Sequence, residues 1–221
     1  MVLEIDNVEL NFGQKKILSG IYLNAQSGSI TSILGRNGAG KTSLFNILFG
    51  CLKPKYKSIR IDGTPISKHL FQSNEIAYLP QHQLLPSKLS VRKAFDLFKV
   101  DWDLFIEEFD SFRLYENNKI SEISSGERRV LETYLILYLD KKIILLDEPF
   151  SYIAPLYVDK FKQIILDKKK ERITLITDHF YRDILQISDK TYLLKNGCSK
   201  LIKDSKELID NGYILSNSQQ K

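Results

Sequence analysis

Apolar positions along the first third of the chain fall in short alternating or unbroken runs. Val2 to Ile5 and Val8 to Phe12 alternate with polar residues as half-buried strands do, and Ile17 to Leu23 continues the pattern. Ile30 to Leu34, I-T-S-I-L, is a β-rich apolar run that follows a Ser27-Gly28 turn. At Thr42 to Phe49 the period changes to helical spacing, and Ser58 to Ile61 and Glu75 to Leu79 read as two more short strands. From Ser90 to Leu139 the strand signal vanishes. Val91, Phe95 and Phe98, then Trp102, Phe105, Phe109 and Phe112, recur three or four apart, which predicts a helical, aromatic-rich block. Its aromatics read as core, with an exposed minority free to form a docking groove. Strands return at Lys142 to Leu146, Ile173 to Thr177 and Thr191 to Leu194, alternating with helical patterns at Leu156 to Leu166 and Tyr181 to Ile187. Such alternation predicts a parallel sheet with crossover helices. The last six residues, S-N-S-Q-Q-K, read as a frayed tail.

A chain of 221 residues with 43% hydrophobic positions holds one large domain, or a core with a small inserted subdomain. No run approaches the roughly 18–20 uninterrupted apolar residues of a membrane helix, and the N-terminus carries no secretory pattern. Cys51 and Cys198 form no metal-ligand cluster; a disulfide between them stays open, although cytosolic proteins keep their thiols reduced. The net charge of +5 is compatible with an anionic partner, but the lysines are scattered. Their tightest run, Lys168 to Lys170, closes a predicted helix, where cations suit the dipole. No nucleic-acid binding is inferred from charge.

Candidate chemistry begins at Gly35 to Thr42, G-R-N-G-A-G-K-T, set between the Ile30–Leu34 strand and the helix after it. The pattern G-x-x-x-x-G-K-[ST] makes a loop whose backbone N–H groups surround the phosphates of a nucleoside triphosphate. Gly35, Asn37, Gly38, Ala39 and Gly40 supply that backbone. Lys41 brings a charge for the β- and γ-phosphates, Thr42 a hydroxyl for Mg²⁺, and Ser43 follows them. The buried run Ile143 to Leu146 ends in Asp147 and Glu148. An aspartate at the carboxyl end of such a strand is placed to hold Mg²⁺, and the adjacent glutamate to polarise a water. Asp147 stands 106 positions after Lys41 and is followed closely by Pro149.

Here the chain resembles the ATP-binding-cassette (ABC) ATPases. I-S-S-G-E at Ile123 to Glu127 stands where that family has L-S-G-G-Q, with Gly126 lying 21 positions before Asp147. Gln81 matches the Q-loop glutamine. His179, 32 residues after Asp147, matches the switch histidine. Phe12, which alone reads equally as a core aromatic or a stacking platform, matches the aromatic that stacks on adenine. Ser124 and Gly126 sit at a helix N-terminus, an anion site that in the family clamps the γ-phosphate held by an opposing monomer. The resemblance spans about residues 2–212.

It implies an α/β fold: a RecA-like P-loop core over about 1–85 and 140–212, an N-terminal antiparallel β portion, a helical subdomain over about 86–139, and a flexible tail from 213 to 221. It further implies an ATPase using ATP and Mg²⁺, two copies or two similar cassettes closing head-to-tail, and a separate polytopic membrane subunit. Such a chain is cytoplasmic and peripheral on the inner face of the membrane. Glu148 then activates water, His179 steadies the γ-phosphate, Gln81 and Asp147 position metal and water, and Thr42 completes the metal site. The rival readings are a soluble ABC ATPase, as in iron–sulfur cluster assembly, and an ATP-gated scaffold with little turnover. The chain departs from the family at Ala154, where an aspartate is usual, and mildly at Ile123, Ser125 and Glu127. Glu127, Arg128, Arg129 and Glu132 resemble the branched-chain amino-acid and lipopolysaccharide-export branch, whereas Tyr134 and Leu135 break that pattern.

Overall fold

In the computed structural model, which describes residues 1–66 and 69–214, two sheets share one layer of core. The first is four-stranded and antiparallel, in the order β2-β1-β4-β5, from β1 (Val2–Phe12), β2 (Lys15–Gln26), β4 (Tyr56–Ile61) and the short β5 (Thr64–Pro65). The two strands expected before Gly13 are one. Asn7, at φ +57, and the nearby register shifts bend β1 without ending it.

The second sheet is six-stranded, in the order β10-β9-β3-β8-β7-β6, from β3 (Ile30–Leu34), β6 (Ile76–Leu79), β7 (Ile143–Asp147), β8 (Ile173–Thr177), β9 (Lys190–Lys195) and β10 (Cys198–Ile202). All its pairs are parallel except the β9–β10 edge hairpin. The inner strands β3, β7 and β8 are buried throughout because both faces are covered, so their apolar residues run on rather than alternate. Ile143, Leu145, Ile173 and Leu175 face the antiparallel sheet and α1 (Lys41–Phe49), whose Leu44, Phe45, Ile47 and Leu48 are buried there. Ile144, Leu146 and Ile176 face the remaining helices.

Those helices are α2 (Val91–Phe98), α3 (Trp102–Glu108), α4 (Ser125–Tyr138), α5 (Pro155–Lys168), α6 (Tyr181–Ile187) and α7 (Ser205–Asp210). Ser90 and Asp101 cap α2 and α3 by accepting from the first-turn amides. Phe95, Trp102, Phe105, Phe109 and Phe112 are all buried, and the Phe105 ring lies 4.7 Å edge-on to Tyr134 of α4. The aromatic block thus packs as core, continuous with the core under β7 and β3. That continuity seats α4 firmly against the carboxyl end of the parallel sheet.

Strand β10 and helix α7 have no counterpart in the periodicity. The first is a mostly exposed edge strand, and the second is a short helix with Leu208 as its buried residue. Tyr213 and Ile214, assigned to the tail, pack against the core beside α7; residues 215–221 lie outside those described. Both cysteines are free and exposed. Among the described residues no helix is long and apolar enough to cross a membrane.

Candidate functional site

The parallel strands end on one side of the sheet, and their carboxyl ends converge on a cavity of about 480 Å³. Strand β3 delivers the glycine-rich loop. Gly40 caps α1 at φ +102, a conformation costly for any residue with a Cβ, and a Cβ there would also lie 2.7 Å from Leu18. The loop is thereby pressed onto β2, and α1 starts directly behind it. Lys41 is only 6% exposed and folds back over the loop, its Nζ donating to Gly35 O at 2.8 Å. Burial pushes its ammonium below the usual lysine range, while Glu148, Asp147 and Asp178 pull it back up.

Asn37, Gly38, Ala39, Gly40, Lys41, Thr42 and Ser43 line the cavity together with Phe12, Gln81, Glu148 and His179. Gly35 lies behind the loop, where a Cβ would meet Leu194 O at 2.7 Å. Phe12 is 54% exposed at the rim, which removes the core-aromatic alternative and leaves its ring free to stack. Beneath the floor Asp147 is fully buried. Tyr78 donates to its Oδ2 at 3.2 Å, and its Oδ1 has no protein partner. Burial raises its carboxyl above the ordinary range, opposed by the Thr42 and Tyr78 hydroxyls.

Glu148 sits at φ +56 with its backbone N–H donating to Thr177 O, so the β7 end is locked to β8. Its Oε1 is 2.7 Å from His179 Nε2, and its Oε2 accepts from Ser151 Oγ at 3.3 Å. Asp178, also buried, accepts from Phe150 N at 2.8 Å and from Phe180 N at 3.1 Å. One carboxylate therefore joins the turn after Glu148 to the turn carrying His179. Periodicity could not reveal that role; the D-H pair at a strand's end was the only hint.

Three buried carboxylates, Asp147, Glu148 and Asp178, stand around one buried ammonium, Lys41, while buried Arg129 is matched by Glu132. An excess of negative charge with a carboxylate oxygen left unpartnered suits a divalent cation. A hydroxyl, a single carboxylate and a glutamine amide are the hard oxygen donors that Mg²⁺ takes beside phosphates. Thr42, Asp147 and Gln81 therefore fit the metal.

Ser124 and Gly126 are not among the residues that line this cavity. They open α4: Ser124 Oγ accepts from Glu127 N at 3.2 Å, and Glu127 Oε2 accepts from Ser124 N at 2.8 Å. Gly126 meets the loop after β7, where a Cβ would fall 2.5 Å from Tyr152 O.

A sequence profile of the family described as ABC transporter matches residues 18–151, a span from β2 through the loop, Gln81, the α4 start, Asp147 and Glu148. LptB, the ATP-binding protein of the lipopolysaccharide export system of Haemophilus influenzae, is 32% identical over 217 residues, 91% of this chain and 89% of that one. The structure of an ATP-binding subunit of an ABC transporter superposes with TM-score 0.81 at 18% identity, covering 96% of this chain and 94% of the other. A nucleotide-free ATP-binding cassette from an ABC transporter gives TM-score 0.77 at 23% identity, with 97% and 96% covered. At these identities the two structures speak for the fold.

Proposed function

From the premise that this chain belongs to the ABC transporter family, we propose that it is the nucleotide-binding subunit that hydrolyses ATP with Mg²⁺ to drive a separate membrane subunit. The observation that carries this reading is the convergence of a phosphate loop, a buried carboxylate with one oxygen unpartnered and a Glu148–His179 pair at one cavity rimmed by Phe12. In this reading Phe12 stacks on the base, and the loop amides with Lys41 and Ser43 hold the phosphates. Bound Mg²⁺ would neutralise phosphate charge, held by Thr42, Asp147 and Gln81. Glu148 takes the proton of the attacking water, and His179 orients Glu148 and reaches the γ-phosphate. The α4 start, whose Ser124 and Gly126 do not line their own chain's cavity, serves the opposing cassette of a dimer, with Ser124 and Gly126 donating to that cassette's γ-phosphate.

The partner reading places the chain on the cytoplasmic face of a membrane, held by a polytopic subunit docked between the Gln81 loop and the aromatic helices. Crosslinking from the Gln81–Trp102 region in native membranes should capture an integral membrane protein. Capture of soluble cluster-assembly proteins alone would replace this reading with a non-transport ATPase.

Ala154 gives a further expected result. It is the exposed N-cap of α5, with no side-chain cap and with Pro155 after it. Ala154→Asp restores a capping oxygen, which should add about 1 kcal/mol to stability and raise Tm by roughly 2–4 °C. Higher turnover or a steeper ATP dependence beyond that gain would show that the missing acid weakens coupling between sites. An unchanged rate and Hill slope would mean that Ser151 and Tyr152 already hold this loop.

A further inference from the structure

Arg129 is 5% exposed and is not itself among the residues that line the nucleotide cavity. Its guanidinium projects from α4 and is spent on main-chain carbonyls. Nη1 donates to Pro80 O at 2.7 Å, Nη2 to Asp147 O and to Glu148 O (3.0 Å), and Nε to Glu148 O at 3.3 Å. One turn on, Glu132 is 1% exposed, and its Oε1 accepts from Leu84 N at 2.8 Å and Leu85 N at 3.0 Å. The two side chains lie 3.7 Å apart. Together they grip the segment around Gln81 on both sides, Arg129 just before the glutamine and Glu132 just after it. The same guanidinium holds the carbonyls of Asp147, which ends β7, and of Glu148 just after it.

The geometry at Glu148 shows why such a grip is needed. A non-glycine residue at φ +56 pays for an unfavourable backbone, which persists only when its surroundings impose it. Glu148 N is tied to Thr177 O, and its carbonyl takes two of Arg129's N–H groups. Those bonds turn the residue so that its carboxylate points at His179 Nε2, 2.7 Å away. A planar fork holds its several donors in fixed directions, so it can set three carbonyls from two separate segments at defined angles; an ammonium offers three donors around a single point.

We propose that Arg129, braced by Glu132, is a positioning residue for hydrolysis: it holds Gln81 and Glu148 in register with each other and ties both to α4. Movement of α4 on closure of the dimer is then felt directly at the attacking-water site. This rests on the ATPase reading above and names the residues that carry the signal within one chain.

The test is Arg129→Lys in the full chain, measured for nucleotide affinity and turnover separately. ATP affinity should stay within about threefold, because the loop, Lys41 and Phe12 are untouched, while kcat falls about 10²-fold from misplaced catalytic groups. Guanidinium ion at non-denaturing concentration should restore part of the turnover of Arg129→Ala, and methylammonium at equal concentration should not. A purely structural arginine predicts lowered Tm with kcat intact and no selective rescue, and that result overturns the proposal. Should the Arg129 variants fail to fold, Glu132→Gln keeps one oxygen for the Leu84 and Leu85 amides and removes the counter-charge. It should lower kcat with affinity retained, and an unchanged kcat there likewise overturns the proposal. Absence of turnover in the wild-type chain, alone and with its membrane subunit, would instead sink the ATPase reading itself.

Discussion

Glu148→Gln should bind ATP as tightly as the wild type, to within about threefold, and turn it over at least about 10²-fold more slowly, the range expected for loss of a general base. The substitution is nearly isosteric. A glutamine oxygen can still accept from Ser151 Oγ or face His179 Nε2, so the loop and the φ +56 backbone remain supported. What disappears is the capacity to take a proton from water. Because phosphate binding survives while hydrolysis stops, ATP should accumulate a long-lived dimer, seen as a shift on size-exclusion chromatography that ADP does not reproduce. Hydrolysis at the wild-type rate by this variant would remove Glu148 from the chemistry. Loss of nucleotide binding would instead mean that the carboxylate shapes the loop.

Complementation between two dead chains is the second large effect expected. Lys41→Ala removes the loop's cation, and Ser124→Arg places bulk and positive charge at the α4 start; each should be close to inactive alone. If the α4 start serves the opposing cassette, a heterodimer of the two has one doubly defective site and one intact site. Random pairing then restores up to about a quarter of the wild-type sites. The structure gives this test its force, since Ser124 caps α4 and does not line its own chain's cavity. Losing the cap should cost about 1 kcal/mol, so Tm must be followed alongside activity. Mixtures no more active than either variant would argue that Ser124 acts within its own chain or only on folding.

The cavity's contents were largely legible beforehand for a physical reason. A loop that surrounds phosphates with backbone amides needs its glycines and lysine at set intervals, and an acid at a strand's end follows an unbroken apolar run. Gly35 to Thr42 and Ile143 to Glu148 therefore announce themselves in one dimension. The buried parallel strands were equally plain, since both faces demand apolar residues. Strand β10 and helix α7 were not, because an exposed edge strand and a short helix with Leu208 alone buried leave almost no period to read.

By itself the sequence determined the phosphate loop, the acids after it, the order of the buried parallel strands and their crossover helices, and membership of a family. Tertiary structure decided how those acids are aimed. Arg129 and Glu132 bond to carbonyls and amides of Pro80, Leu84, Leu85, Asp147 and Glu148. Asp178 joins two turns through backbone amides in the same way. Every residue type owns the same amide and carbonyl, so a partner of this kind leaves no mark on the residue it holds. Gly126 is a related case, its bare Cα demanded by the Tyr152 carbonyl lying against it across a fold of the chain. Such contacts depend on where segments distant in sequence come to rest, and only the packed core, with α4 seated against the ends of the strands, specifies that.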